Sequence, residues 1–151
     1  MNAVVTLVLV LTAAVPAVQK TPKHAPVRIF VTTAASTQPT GSDEEQGRQE
    51  AVAILQELLK GRSQFVLVQS AADAQVVVEV LNREERDMAQ GGFGGASLTK
   101  FRETIVRVKV SAGSDQSELK GVGQGSWKSA GKDLVERLSK WVNNHITPTI
   151  S

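Results

Sequence analysis

Cysteine is absent from the 151-residue chain, and histidine occurs only at His24 and His145. Without cysteine there is no disulfide and no thiolate, which excludes a thiol nucleophile and every cysteine-ligated metal centre. Two isolated histidines without carboxylates at a fixed spacing provide neither a metal-ligand set nor a general base with an orienting partner. The sequence therefore predicts no catalytic residue, no metal and no cofactor, and a protein that is not an enzyme.

Neither sign of charge is in excess. The chain carries 17 Lys and Arg against 15 Asp and Glu, a formal net charge of +2, and the two signs are interleaved along it. A protein dedicated to nucleic acid concentrates its Lys and Arg on one surface. The composition therefore argues against a nucleic-acid partner.

Long apolar runs are also scarce, and the longest, residues 3–15, is apolar except for two threonines. Such a run, followed by the small residues around Ala17, is typical of a secretory signal peptide. It is shorter than the roughly 20 residues that a spanning helix needs, so we expect no transmembrane segment in the mature chain. We predict a signal peptide over residues 1–17, a linker over 18–26 and one domain over 27–151, in an exported protein that is periplasmic or secreted.

What the chain does contain is a clear alternation of short strand patterns with two helix patterns. Ser42 and Glu45 form a predicted capping box at the start of the first helix, and Gly61 marks its end. Period-two alternation or short apolar runs predict strands over residues 27–31, 64–68, 75–84, 103–110 and 118–127. Apolar stripes with helical spacing comprise Val52, Leu55, Leu58 and Leu59 in the first helix and Leu134, Leu138, Trp141 and Val142 in the second.

This order, β-α-β-β-β-β-α, predicts an α+β fold. We expect a two-layer sandwich with a mostly antiparallel sheet of about five strands and both helices on one face. Within it, Val76, Val78 and Val80 share one face of their strand. In the next strand Val106, Val108 and Val110 share one face, and Arg107 and Lys109 point to the opposite, wet face.

The segment FVLVQSAADAQVVVEV, residues 65–80, joins two strands through a short turn that contains Ala72 and Asp73, and GVGQGSW leads from the last strand into the final helix. This arrangement is similar to that of envelope domains typified by the amino-terminal domain of the TolB translocation protein and the curli-secretion (CsgG-like) lipoprotein family. The similarity covers nearly the whole predicted mature chain, in topology. It implies a periplasmic accessory or assembly role without catalytic residues. The chain lacks the lipidated cysteine of the curli-type members and the propeller domain of TolB.

Four glycines surround Phe93 in the stretch MAQGGFGGAS, residues 88–97. A phosphate-binding loop needs glycines at fixed spacing with a helix directly after them, whereas this stretch continues into the strand at 103–110. We therefore predict the tip of a β-hairpin. Phe93, together with Arg107 and Lys109 on the wet face, is a candidate for contact with a protein partner.

A second glycine cluster, residues 121–132, runs from the last strand into a helix. One interpretation is a strip without side chains, since the glycines alternate and would let the helix pack close to the sheet. The other is a small-ligand or anion site at the helix N-terminus. Its candidate residues are Ser126, Lys128, Ser129 and Lys132.

Adjacent carboxylates also occur in NREERD, residues 82–87, but neighbouring residues of a strand point to opposite faces. We predict a solvated, charged strand end there rather than a paired-carboxylate site. The leading functional hypothesis is a non-enzymatic exported protein that binds one or more envelope proteins. The alternatives are an anion-binding module built on Gly121 to Lys132 and, third, a hydrolase of unknown type.

Overall fold

The computed structural model describes residues 25–35, 42–90 and 99–146. Within these ranges, five strands and two α-helices follow the predicted order, so the α+β fold class is confirmed. The strands are β1 (Val27–Thr33), β2 (Phe65–Leu67), β3 (Val76–Gln90), β4 (Thr99–Ala112) and β5 (Asp115–Gln124). The helices are α1 (Asp43–Lys60) and α2 (Trp127–His145), and a 3-10 turn at Ala71–Asp73 joins β2 to β3.

The strands form one mixed sheet in the order β2-β1-β3-β4-β5. β1 has a parallel neighbour on each side, whereas the longer β3/β4 and β4/β5 ladders are antiparallel. β2 pairs with the first half of β1 and β3 with the second, and the two registers meet at Ile29. Because β3 begins at the level where β2 ends, residues 68–75 suffice for a crossover that normally takes a dozen residues or more.

Both helices pack on the same face of the sheet and close the hydrophobic core. Their predicted stripes are confirmed: the four residues of α2 are buried, and in α1 Leu55 and Leu59 are buried while Val52 and Leu58 are partly buried. The strands contribute alternating residues to the same cluster: Ile29, Val31, Phe65, Val76, Val78, Val80, Val106, Val108 and Val110. The opposite face of the sheet carries no helix in the described part of the chain.

The caps of α1 agree with the sequence in part. The Ser42 hydroxyl accepts a hydrogen bond of 3.2 Å from the Glu45 amide, as predicted. The Glu45 carboxylate, however, binds the buried guanidinium of Arg48 instead of returning to the Ser42 amide. Gly61 ends the helix with φ −75°, which is an ordinary right-handed value, so its backbone conformation does not require glycine.

A β-bulge at Leu81 changes which side chains of β3 face the helices. Val80 lies opposite Val108 and Asn82 opposite Arg107, so Leu81 is the extra residue. The insertion of one residue reverses the alternation that follows it. Arg83 consequently points into the helix layer, which corrects the prediction of a wholly solvated strand end.

In the helix layer, Arg83 joins β3 to both helices. Its Nη1 lies 2.7 Å from the Glu50 carboxylate of α1, and its guanidinium stacks 4.2 Å from the ring centroid of Trp127 in α2. Gly47 leaves the space, since a Cβ there would lie 3.2 Å from Arg83 Nε. The hydrogen bond from Arg83, together with its positive charge, lowers the pKa of Glu50.

The hairpin of β3 and β4 is longer than the sequence suggested. Its ladder runs without further irregularity to the pair of Gln90 with Thr99, so Met88 to Gln90 belong to a strand and not to the predicted loop. The glycine-rich stretch connects these two antiparallel neighbours, as the hairpin prediction requires. Its own conformation, including that of Phe93, lies outside the described residues.

Candidate functional site

The side of the sheet opposite the two helices, which we call the open face, carries the first set of candidate residues. Arg107 and Lys109 project away from the helices from β4, which lies between β3 and β5 in the sheet. The open face comprises Arg28, Phe30 and Thr32 of β1, Val66 of β2, Val77, Glu79, Leu81, Asn82, Glu84, Arg86 and Met88 of β3, Phe101, Glu103, Ile105, Arg107 and Lys109 of β4, and Gln116, Glu118, Lys120 and Val122 of β5.

Acidic residues of the two flanking strands pair with these two cations. Arg107 Nε lies 3.4 Å from Glu84 Oε1 on β3, and its Nη1 lies 3.5 Å from Glu118 Oε1 on β5. Lys109 Nζ lies 3.8 Å from Glu79 Oε2 on β3. The open face therefore presents two cations on β4 between acidic residues of β3 and β5.

Glu84 is the acid with the most cationic neighbours. Its carboxylate accepts a 2.7 Å hydrogen bond from Arg86 and lies near Arg107. The hydrogen bond from Arg86, followed by the positive charges of Arg86 and Arg107, lowers its pKa. Glu84 and Arg107 are partly exposed and Arg86 is exposed, and ion pairs at a protein surface contribute little to stability. The charges of the open face are thus available for exchange with those of a partner at little cost to the fold.

A shallow depression of ≈ 290 Å³ lies beside the Lys109 pair. It is lined by residues Leu81, Lys109, Gln116, Ser117 and Glu118. The Ser117 hydroxyl already accepts a 3.0 Å hydrogen bond from Trp141 Nε1. The lining of the depression thus combines apolar surface with polar and charged groups.

Apolar residues of the open face were not singled out from the sequence. Ile105 is only 1% exposed although it shares its side of β4 with Arg107 and Lys109, and it lies in register between Glu84 and Val122. Its position in the alternation of ETIVRVKV was the available signal. Val66, on the edge strand β2, is 44% exposed. The face therefore combines paired charges with scattered apolar contacts.

The second set of candidates surrounds the start of α2. Ser126 is the N-cap: its hydroxyl accepts a 3.1 Å hydrogen bond from the Ser129 amide, and its carbonyl accepts one of 3.3 Å from the Ala130 amide. Lys128 pairs with Glu57 of α1 at 3.1 Å. Lys132 is exposed on the next turn. The amides of Ser129 and Ala130, which an anion would need, already have acceptors.

The alternating glycines before α2 leave room for that helix. A Cβ at Gly121 would overlap the Ala130 carbonyl oxygen, and one at Gly123 would overlap the Ala130 nitrogen. The interpretation as a strip without side chains is confirmed for these two positions. Gly125 differs, because it is exposed and has φ +67°, so its backbone conformation is what favours glycine.

Other kinds of site find no support within residues 25–35, 42–90 and 99–146. No cluster there combines three or more side chains of His, Cys, Asp or Glu in a way that could hold a metal ion. His145 stacks on Trp141 with ring centroids 4.6 Å apart, and its Nδ1 lies 2.8 Å from the Trp141 carbonyl oxygen. Neither α1 nor α2 is long and apolar enough to cross a membrane.

Comparison with solved structures finds several similar chains. The chain resembles the solution NMR structure of uncharacterized lipoprotein B from Nitrosomonas europaea, with a TM-score of 0.46 and 9% sequence identity. The match covers 81% of this chain and 90% of that chain. No protein-family model and no curated protein matches the sequence. The function must therefore be inferred from the residues of this chain.

Proposed function

We propose that the protein is a non-enzymatic, exported accessory module of the cell envelope that binds a protein partner through the open face. The observation that carries this proposal is the one-sided packing of the sheet: both helices cover one face, and the other displays the paired charges around Arg107 and Lys109. The predicted similarity to the TolB amino-terminal domain and the curli-secretion family points to the same class of role.

The pairing of charges favours a protein over a polyanion as the partner. Binding to nucleic acid or to another polyanion draws its affinity from cations that neutralise phosphates. Arg107 and Lys109 already face Glu84, Glu118 and Glu79, so a uniformly negative partner would meet acidic residues of β3 and β5 beside the two cations. A protein surface with mixed charges can match the alternation, which gives specificity rather than mere attraction.

Exchanging the charges of one pair tests the open face while it keeps the internal ion pair. The variant is Glu79→Lys with Lys109→Glu, and a photo-crosslinking residue at Gln116, beside the same pair, reports the partner in an envelope fraction. We expect a discrete adduct with the unexchanged protein and at least about tenfold less with the exchanged one, because like charges then face each other across the interface.

The matched control exchanges the Lys128 pair on the helix layer, as Glu57→Lys with Lys128→Glu, and should leave the adduct unchanged. Circular dichroism and thermal melting establish that both variants fold. An adduct that survives the open-face exchange, or that disappears with the helix-layer exchange, contradicts the proposal. The second of these results would indicate that the partner binds at the start of α2.

Export is a separate part of the proposal and has its own measurement. We expect the exported protein to begin near Val18, because the small residues before it suit cleavage by a signal peptidase. Intact-mass spectrometry of protein recovered outside the cytoplasm gives the first residue directly. A chain that retains residues 1–17 and fractionates with the membrane would show that the segment is an anchor instead.

A further inference from the structure

Oxidisable sulfur is restricted to two residues of this chain. Cysteine is absent, and the only methionines are Met1 and Met88. Met1 lies outside the described residues, whereas Met88 is in β3 on the open face and is 41% exposed. Its thioether is thus accessible in the folded protein, and it is the sole sulfur within the part of the chain that the structure describes.

Met88 lies where the sheet has narrowed to two strands. The register of β1 with β3 ends at Val80, and that of β5 with β4 ends at Glu103. Beyond these points, residues 87–90 and 99–102 of the described structure form ladder pairs only with each other, and the Arg102 carbonyl oxygen also accepts a 2.8 Å hydrogen bond from the Gly125 amide. We call these two segments the ribbon end.

A two-stranded ribbon is marginally stable in water on its own, so its cross-strand contacts matter. Met88 lies directly opposite Phe101 in register. The other contacts are ion pairs of Arg102 with Glu85 at 3.3 Å and with Asp87 at 3.6 Å, all exposed. Met88 with Phe101 is therefore the cross-strand pair of the ribbon end in which both residues are apolar.

We propose that Met88 is a redox-modification site at which a peroxide-class oxidant loosens the ribbon end without unfolding the body of the protein. A sulfur lone pair attacks one peroxide oxygen, the O–O bond breaks, and the departing hydroxide takes up a proton. One thioether and one hydrogen peroxide thus give one sulfoxide and one water. The product is polar and can be reduced by methionine sulfoxide reductases, which makes the change reversible.

The location of Met88 explains why the effect stays local. The sulfoxide is poorly suited to an apolar pair with Phe101, so the last residue pairs of the ladder lose their apolar pair. The hydrophobic core, in contrast, contains neither residue. The inference does not depend on the proposed function, because it concerns only the chemistry and stability of this ribbon.

Hydrogen peroxide treatment of the full chain tests the site. Peptide mapping should show one added oxygen at Met88 in protein that keeps its melting temperature. Amide exchange at the ribbon end should accelerate by about two- to fivefold, the loss expected for one cross-strand pair. A reductase that acts on methionine sulfoxide should restore the original exchange rates.

Two variants separate this effect from general oxidative damage. Met88→Leu conserves the apolar volume and should show no change in ribbon exchange after peroxide. Phe101→Ala should show the accelerated exchange without any treatment. The inference is overturned if Met88 stays unmodified at peroxide doses that oxidise free methionine, if the sulfoxide forms without a change in ribbon exchange, or if the whole domain unfolds on oxidation.

Discussion

Gly123→Ala is expected to destabilise the domain by about 3 kcal/mol or more, at or above the upper end of the usual cost of overpacking. The new Cβ would overlap the backbone nitrogen of Ala130 and lie 2.9 Å from the Ser126 carbonyl oxygen. These are backbone atoms of α2 and of its N-cap residue, so no side-chain rotation can relieve the contact. The N-terminal end of α2 would have to move away from β5, which would also weaken the hydrogen bonds that cap the helix.

Gly61→Ala is the matched control for this substitution. Gly61 has φ −75°, and the nearest atom to a new Cβ there is the Leu58 carbonyl oxygen at 3.5 Å. Alanine fits that conformation and restricts the unfolded chain, so we expect a gain of about 0.4–1 kcal/mol. Urea titration of both variants gives the two free energies of unfolding. A similar small effect at both positions would mean that α2 does not pack tightly on β5.

The sequence was most informative where a local pattern has one physical solution. Alternating glycines before a helix predicted a close contact of that helix with the sheet, and Gly121 and Gly123 make that contact with Ala130. Likewise, Ser42 was predicted as a cap from its spacing to Glu45, and its hydroxyl accepts a hydrogen bond from the Glu45 amide. Capping and close packing depend on neighbouring residues, which a single sequence displays directly.

The bulge at Leu81 could not be predicted in this way. A bulge is defined by the partner strand, and no glycine or proline marks it in the segment VEVLNREERD. Continued alternation would have placed Asn82 toward the helices, whereas the structure turns Arg83 inward to Glu50 and Trp127. The position of β1 between two parallel neighbours could not be predicted either, because it depends on pairing between residues far apart in the chain.

The candidate site, too, has a part that the sequence predicts and a part that it does not. Alternation alone placed Arg107 and Lys109 on the face opposite the core valines of β4, and the structure confirms that position. Their pairing with Glu84, Glu118 and Glu79 depends on register across three strands. The sequence shows two cations, and the strand register gives each of them an acidic partner. This pairing is what favours a protein partner over a polyanion.

Val78→Asp is expected to unfold the domain. Val78 is 1% exposed and lies in the middle of the sheet, in register with Val31 of β1 and Val110 of β4. An isolated carboxylate at such a position loses its hydration without gaining a partner, and the cost exceeds that of any single apolar deletion. Typical domains are stable by only about 5–15 kcal/mol, so a penalty of this kind is comparable to the whole stability.

Val66→Asp provides the control, because it introduces the same charge into a strand of the same sheet at a site that is 44% exposed on the open face. There the carboxylate keeps its water, and we expect a change within about 0.5 kcal/mol, as for other surface substitutions. Far-ultraviolet circular dichroism and urea titration distinguish the two outcomes. If Val78→Asp folded with nearly unchanged stability, water would have to reach the centre of the β1/β3/β4 layer, and the packing of the helices on that face would be wrong. If Val66→Asp unfolded the protein as well, the open face would have to be covered in solution, which would locate a binding surface on the β2 side of the sheet.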